Sequence, residues 1–315
     1  MKSLALYALA ALAAFTMPAR AESVLIVGDQ KGGSRALMEA AGVLKDTPYT
    51  IDWKEFVAAA PLLEALNAGA IDTGIVGDAP FTFAKAVGLK AKAIAAVRQN
   101  PGGLAILVSK ASPIVTADDL KGKKIATGRG SIGHQLLVAF LEKKGWAQDA
   151  VRTTFLLPSD AKIAYSTGSV DAWSTWEPYV AQEEVLFGAR RIVTGEGLTP
   201  GLTYQVARDD AIATKRAMLE DFITRLSRAR TWSLSHIDDY AATWGKLVGL
   251  PPKVPQLWLS RAQIKLAPID DSVVTDEQNT IDLYVRNNLI KTKLKADDIV
   301  DKTFAGAIEK GAATP

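Results

Sequence analysis

The chain of 315 residues carries 37 Lys and Arg against 34 Asp and Glu, a formal charge of +3, and 48% of it is hydrophobic. That near-balance excludes a nucleic-acid binder, which needs a strongly basic face, and the length suits two domains of ordinary size. Without a cysteine, neither a disulfide nor a lipid-bearing thiol is expected, and the two histidines, His134 and His236, form no familiar zinc spacing.

Residues 1–21 have the form of a secretory signal peptide. Lys2 gives a positive start, 4–15 is apolar and alanine-rich, and Ala19-Arg20-Ala21 is an A-x-A cleavage signal. The stretch is too short for a comfortable membrane span, and no other run is long and apolar enough to cross a bilayer. Loss of Lys2 and Arg20 lowers the formal charge from +3 to +1. The expected product is a soluble exported protein, periplasmic in a Gram-negative cell.

VLIV at 24–27 is a buried-type strand, turned by Gly28-Asp29-Gln30-Lys31-Gly32-Gly33 into a helix from Ser34 to 41. A second strand alternates over 49–53, and a helix over 61–68 stops at Gly69. A third strand at 71–76 breaks on Gly77-Asp78-Ala79-Pro80 before a helix over 81–87. Strands at 94–97 and 105–108 complete an alternating α/β unit.

The pattern then restarts. KIATGRGSIGHQLLVAFLEKKG at 124–145 reads as a short strand, the glycine turn Gly128-Arg129-Gly130 and a helix capped by Ser131. Leu136, Leu137, Phe140 and Leu141 recur at helical spacing, and Gly145 closes the helix. Strands at 153–157, 170–175 and 191–193 alternate with helices at 160–167 and after Glu177-Pro178. A return strand at 204–207 precedes a run of helices between 210 and 310.

The start of the helix after Ser131 gathers free amides and a positive dipole end, which together suit an anion. Gly128-x-Gly130-x-x-Gly133 also matches the dinucleotide fingerprint, whose acidic partner, expected about 20 residues on, is met only loosely by Pro158-Ser159-Asp160. A tight strand-to-helix turn explains the same glycines without any ligand. The turns at 30–34 and 77–80 share the design, and ligands of open α/β sheets bind at the carboxyl ends of strands. Three such turns favour a shared cleft.

In DAWSTWEPY at 171–179, Trp173 points away from Ala172 and Ser174, into either core or cleft. Trp176, at the strand end, is the better cleft wall. Lys31, Arg98 and Arg129 are candidate counter-charges, while Asp29 and Asp78 either read a ligand's ammonium or hydroxyl group or cap their own turns. His134, in the first turn of its helix, is a candidate donor. Neither a Gly-x-Ser-x-Gly elbow nor a P-loop occurs, so an exported enzyme using the same cleft is the second reading.

These residues resemble the periplasmic aliphatic-sulfonate- and taurine-binding proteins of ABC importers, in the wider nitrate/sulfonate/taurine solute-binding superfamily. The resemblance covers most of the chain after the signal segment, most densely 24–209. Its pieces are Gln30-Lys31-Gly32, LLEALNAGAID at 62–72, VGDAP at 76–80, DLKGKK at 119–124 and GSVDAW at 168–173. It implies the α/β, two-lobed type II periplasmic-binding-protein fold, with a hinge and a helical C-terminal part. Lobe I would take 22–110, lobe II 111–204, and 205–315 would complete lobe I, with crossings near 109–112 and 203–208.

The implied ligand is a sulfonate or related organosulfur anion. Ser131, Ile132 and Gly133 would hold its oxygens, with Gln30, Gly77 and Asp78 on the other lobe and Trp173 and Trp176 against its tail. Lys31, Gly32, Arg129 and His134 complete the expected set. RQNPGG at 98–103 departs from the family pattern, and Arg129 favours a more anionic ligand such as a sulfate ester. The implied partners are an ABC permease and, through it, its ATPase, with no cofactor or metal and a monomeric chain. Nitrate, bicarbonate or a thiamine precursor is the alternative ligand.

Overall fold

The computed structural model describes residues 23–31 and 33–313; the signal peptide expected at 1–21 and the ligand contact expected of Gly32 lie outside the described residues. From the first strand the chain alternates β1 (Val24–Gln30), α1 (Gly33–Ala40), β2 (Thr50–Phe56), α2 (Ala59–Asn67), β3 (Thr73–Gly77), α3 (Asp78–Ala86) and β4 (Ala91–Arg98). Leu25 and Val27 of β1 face one core layer and Ile26 the other, as the two-residue period of a strand requires. Helices α2 and α3 cover one face of this sheet and α1 the other.

The second sheet follows, with β5 (Ala105–Val108), β6 (Lys124–Thr127), α4 (Ile132–Lys144), β7 (Arg152–Phe155), α5 (Pro158–Ser166), β8 (Ala172–Thr175), α6 (Tyr179–Phe187) and β9 (Arg190–Thr194). Its order is β7-β6-β8-β5-β9. The expected grouping of 105–108 with the first unit does not match the pairing. β5 lies antiparallel between β8 and β9, in the second sheet. Asn100 explains the break: its Oδ1 accepts the Gly102 amide at 2.8 Å, winding Pro101–Gly103 into a turn that separates β4 from β5.

Between Thr194 and Leu202 the chain returns, and β10 (Leu202–Arg208) inserts antiparallel between β3 and β4. Then come α7 (Asp209–Thr214), α8 (Arg216–Ser233), α9 (Ile237–Val248), α10 (Lys253–Ala262), β11 (Lys265–Ala267), α11 (Asp271–Arg286) and α12 (Ala305–Ala312). The first sheet therefore runs β11-β4-β10-β3-β1-β2. The short edge strand β11 was hidden in a segment that reads as helical. Among the described residues no helix is long and apolar enough to cross a membrane.

Polar contacts tie the two sheets' units across the space between them. Tyr179 Oη donates to the Val57 carbonyl at 3.1 Å, and Gln135 Nε2 of α4 donates to Asp78 Oδ2 at 2.8 Å. Arg286 and Asn287 both reach Glu142 of α4, at 3.0 and 2.8 Å. The most enclosed bridge is Arg261 of α10. Its Nε donates to Glu177 at 2.8 Å and its Nη1 lies 2.7 Å from Glu184.

Breaking such a buried ion group by removing one partner costs about 3–5 kcal/mol if nothing moves. Separation of the units rehydrates both carboxylates and avoids much of that cost. Arg261→Met is therefore expected to shift the ligand-free protein toward a more open form. Small-angle X-ray scattering should show a larger radius of gyration and calorimetry a lower thermal midpoint; identical values for variant and wild type would mean that Arg261 does not hold the units together.

Candidate functional site

A cavity of about 400 Å³ lies between the two sheets, at the ends of their strands. Of the residues singled out from sequence, Asp29, Gln30, Lys31, Gly77, Asp78, Arg129, Ser131, Ile132 and Trp176 line it. Gly133, His134 and Trp173 are absent from the lining, and Arg98 is turned to an ion pair with Asp276 at 2.7 Å.

The three strand-to-helix turns are not equivalent. At α1 the helix start is already filled: the Asp29 carboxylate accepts the amides of Gln30, Ser34 and Arg35 at 3.0, 3.1 and 2.9 Å. Burial pushes Asp29 up to about 6 against the pull of those amides. At α3 the Asp78 carboxylate stands at the helix start, accepting from Gln135 and from Thr280 Oγ1, each at 2.8 Å. Burial raises Asp78, and burial with the Asp78 charge pushes neighbouring Glu277 up to about 8.

At α4 no carboxylate intervenes. Ser131 Oγ accepts the His134 amide at 3.2 Å, and the Ser131 amide donates to the Gly128 carbonyl at 3.1 Å. The amides of Ile132 and Gly133, the first two of the helix, have no acceptor among the described residues. The turn has room for this geometry because Gly77 lacks a side chain: a Cβ there would collide with Ile132 Cγ2. Ile132 packs against the cores of both units and brings the α4 start to the cavity wall.

Three expectations need correction as statements about the cavity lining. Trp173 is 1% exposed, and its ring packs on Tyr165 and Tyr179 at centroid distances of 6.0 and 5.5 Å. It belongs to the core layer under α5 and α6, because Ala172 takes the opposite face of β8. His134 is 4% exposed; its Nδ1 accepts the Gly130 amide at 3.2 Å, so the ring braces the turn from behind. The Cα of Gly133 is wedged behind the wall, where a Cβ would sit 2.5 Å from the Ser174 carbonyl oxygen, so its amide is all that it offers at the helix start.

Residues that sequence reasoning missed complete the walls. The Arg129 guanidinium lies 3.8 Å from the centroid of Phe155, a cation–π contact that fixes it at the cavity. Tyr179, which the sequence groups with the two tryptophans, lines it, as do the unforeseen Glu177, Gln135, Trp244, Trp258 and Arg230. Burial pushes Glu177 up to about 7, opposed by the Arg261 charge. A Glu after the second tryptophan and an arginine on the apolar stripe of α8 were the available signals.

Burial, reinforced by the Arg129 charge, pushes His134 down to about 4 from its ordinary 6.5. The native imidazole stays neutral while the unfolded one takes up a proton between pH 6.5 and 4. Stability linked to His134 is therefore complete above 6.5 and is lost as pH falls through that window, by up to roughly 3 kcal/mol. His134→Asn keeps an acceptor for Gly130 without a titrating ring. Urea unfolding should show wild type losing stability relative to this variant between pH 7 and 4.5; a constant difference would contradict the assignment.

The family profile described as NMT1/THI5 like matches residues 55–238. A protein of Escherichia coli (strain K12) named for binding aliphatic sulfonates is 32% identical over 296 residues, spanning 92% of this chain and 93% of its own. A protein of Bacillus subtilis (strain 168) named for the same ligands is 31% identical over 285 residues, 90% of this chain and 83% of its own. Among solved structures, the alkanesulfonate-binding protein SsuA from Xanthomonas axonopodis pv. citri, bound to MOPS, superposes with a TM-score of 0.84 at 31% identity. That match covers 89% of this chain and 99% of the other. The chain belongs to the NMT1/THI5-like family, with the two-lobed fold of periplasmic binding proteins.

Proposed function

We propose that this protein is the substrate-binding subunit of an ABC importer. It is exported behind its signal peptide to the periplasm, captures sulfonates or related organosulfur anions between its lobes, and delivers them unchanged to a permease and its ATPase. The first lobe takes 23–98 and 202–313 and the second 105–194, so that 99–104 and 195–201 form the hinge. Ligand touching both lobes favours the closed form by its differential affinity for it.

The observation that carries this reading is the open start of α4. A sulfonate is anionic throughout the physiological pH range and offers three oxygens as acceptors only. Two unpartnered amides at the positive end of a 13-residue helix supply donors and charge complementarity without a proton to transfer. In this reading Ser131, Ile132 and Gly133 form the cradle, with Gln30, Gly77, Asp78 and Arg129 around it. Trp176 and Phe155 offer aromatic surface to an organic tail, and a cavity of about 400 Å³ exceeds what nitrate or bicarbonate fills. The relatives named for sulfonate binding support the same class.

In a thermal-shift screen, alkanesulfonates and sulfate esters should raise the midpoint, since a ligand specific to the folded state stabilises it by mass action. Stabilisation by nitrate, bicarbonate or a thiamine precursor alone would overturn the ligand class. Ile132→Pro tests the cradle directly. Proline is well tolerated at the first helical position, and Ser131 already has the extended backbone that a following proline demands. The variant loses one amide to a charged acceptor and should bind alkanesulfonates roughly ten- to a hundredfold more weakly by calorimetry. Ile132→Val keeps the amide and controls for packing; equal affinities of the two variants would remove the cradle from the reading.

A further inference from the structure

Arg230 stands where the core of the first lobe continues. On α8 it follows Leu219, Ile223 and Leu226 along one stripe, and only 4% of it is exposed. A guanidinium stays charged in any protein environment, and burying a charge is costly unless it is paired and hydrogen-bonded. Yet among the described residues no carboxylate or carbonyl accepts a hydrogen bond from its Nε or Nη1.

The groups facing it explain why. The Tyr240 phenol beside it donates its proton to the Gly33 carbonyl at 2.8 Å and turns only a neutral oxygen to Arg230, an acceptor that does not cancel the charge. Asp29 feels the Arg230 charge, but its oxygens accept three backbone amides, and no ion pair within 4.0 Å joins the two side chains. Arg230 lines the same cavity as the α4 start, from the opposite lobe. Lys31 lines that wall as well, its backbone held at φ 53° and its carbonyl accepting Trp244 Nε1 at 2.6 Å. This lobe thus sets the Lys31 and Arg230 cations beside Asp29, which accepts three amides, and Asp78, held by Gln135 and Thr280, and among the described residues neither carboxylate forms an ion pair with them.

We propose that Arg230 is a second oxyanion-binding group of the cavity, and that the ligand carries a second acidic group, a carboxylate or another sulfonate, at the far end of its tail. The inference rests on the sulfonate reading. The α4 amides take one end and the Arg230 fork the other, which a carboxylate or sulfonate matches with two parallel hydrogen bonds. Such a ligand spans the two lobes and couples their closure to both of its charges.

Calorimetry on the ligand-free protein with matched pairs separates the two claims: propane-1-sulfonate against 3-sulfopropionate, and ethanesulfonate against ethane-1,2-disulfonate. The dianion should bind roughly tenfold tighter or better than its monoanionic partner, and Arg230→Met should collapse that ratio to about one. Arg230→Lys keeps the charge without the fork and should recover only part of the preference. Monosulfonate binding with no dianion preference in wild type overturns the role of Arg230 and leaves the sulfonate reading standing. A preference that survives in both variants assigns the second charge to another group and also overturns it. Absence of binding by every sulfonate overturns the sulfonate reading itself, and this inference with it.

Discussion

A helix that begins where a strand ends presents amides that no preceding carbonyl can satisfy, at the positive end of its dipole. Three of these starts, at α1, α3 and α4, meet at the cavity and are met differently. Asp29 satisfies α1 and Asp78 stands at α3, each a carboxylate supplied by the chain itself. Of these three, the α4 start, in the second lobe, is the one whose first amides, those of Ile132 and Gly133, meet no acceptor among the described residues. The internal carboxylates show what these starts prefer. The remaining one is shaped for an external group of the same chemistry.

That arrangement keeps charge at a premium near the cavity. Asp78 is held by Gln135 of the opposite lobe, while Glu277 behind it retains its proton near neutrality, with Thr82 Oγ1 at 2.5 Å. Glu177 and Glu184 share Arg261 across the cleft. In the proposed closure, much of what forms is therefore the pairing of buried polar groups that would hydrate if the lobes separated. Each bridge contributes a modest net amount, because desolvation offsets attraction, so the balance between open and closed forms stays within reach of a ligand's binding energy. His134 adds rigidity of another kind. Held neutral between Phe83 and Phe155, it fixes the Gly130 amide and with it the shape of the turn.

Much of this was legible in the chain itself. The alternation of strands and helices, the Ser131 cap and the Gly145 stop all appear where the spacing places them, because each depends on neighbours within a few residues. The glycine turns were legible as close approaches. What they approach was not: Gly77 makes room for Ile132 from 55 positions away in sequence, and a strand–turn–helix pattern is silent about partners at that range. Sheet membership was equally hidden for Ala105–Val108. A run of four apolar residues suits the middle of either sheet, and pairing with β8 and β9 decided it.

Sequence by itself determined that this is an alternating α/β chain with a capped, glycine-led helix suited to an anion. It also determined which residues are apolar enough to be buried. Tertiary structure decided which buried place each one takes. Helix α4 is buried from Gly133 to Leu141 because it is wedged between two lobes, which its expected single apolar face did not foretell. Trp173 went to the core and Trp176 to the cavity, although both lie within four residues on one strand end. The physical reason is the same throughout: periodicity reports that a side faces away from water, while only the folded chain sets whether a core, a partner lobe or a ligand lies beyond it.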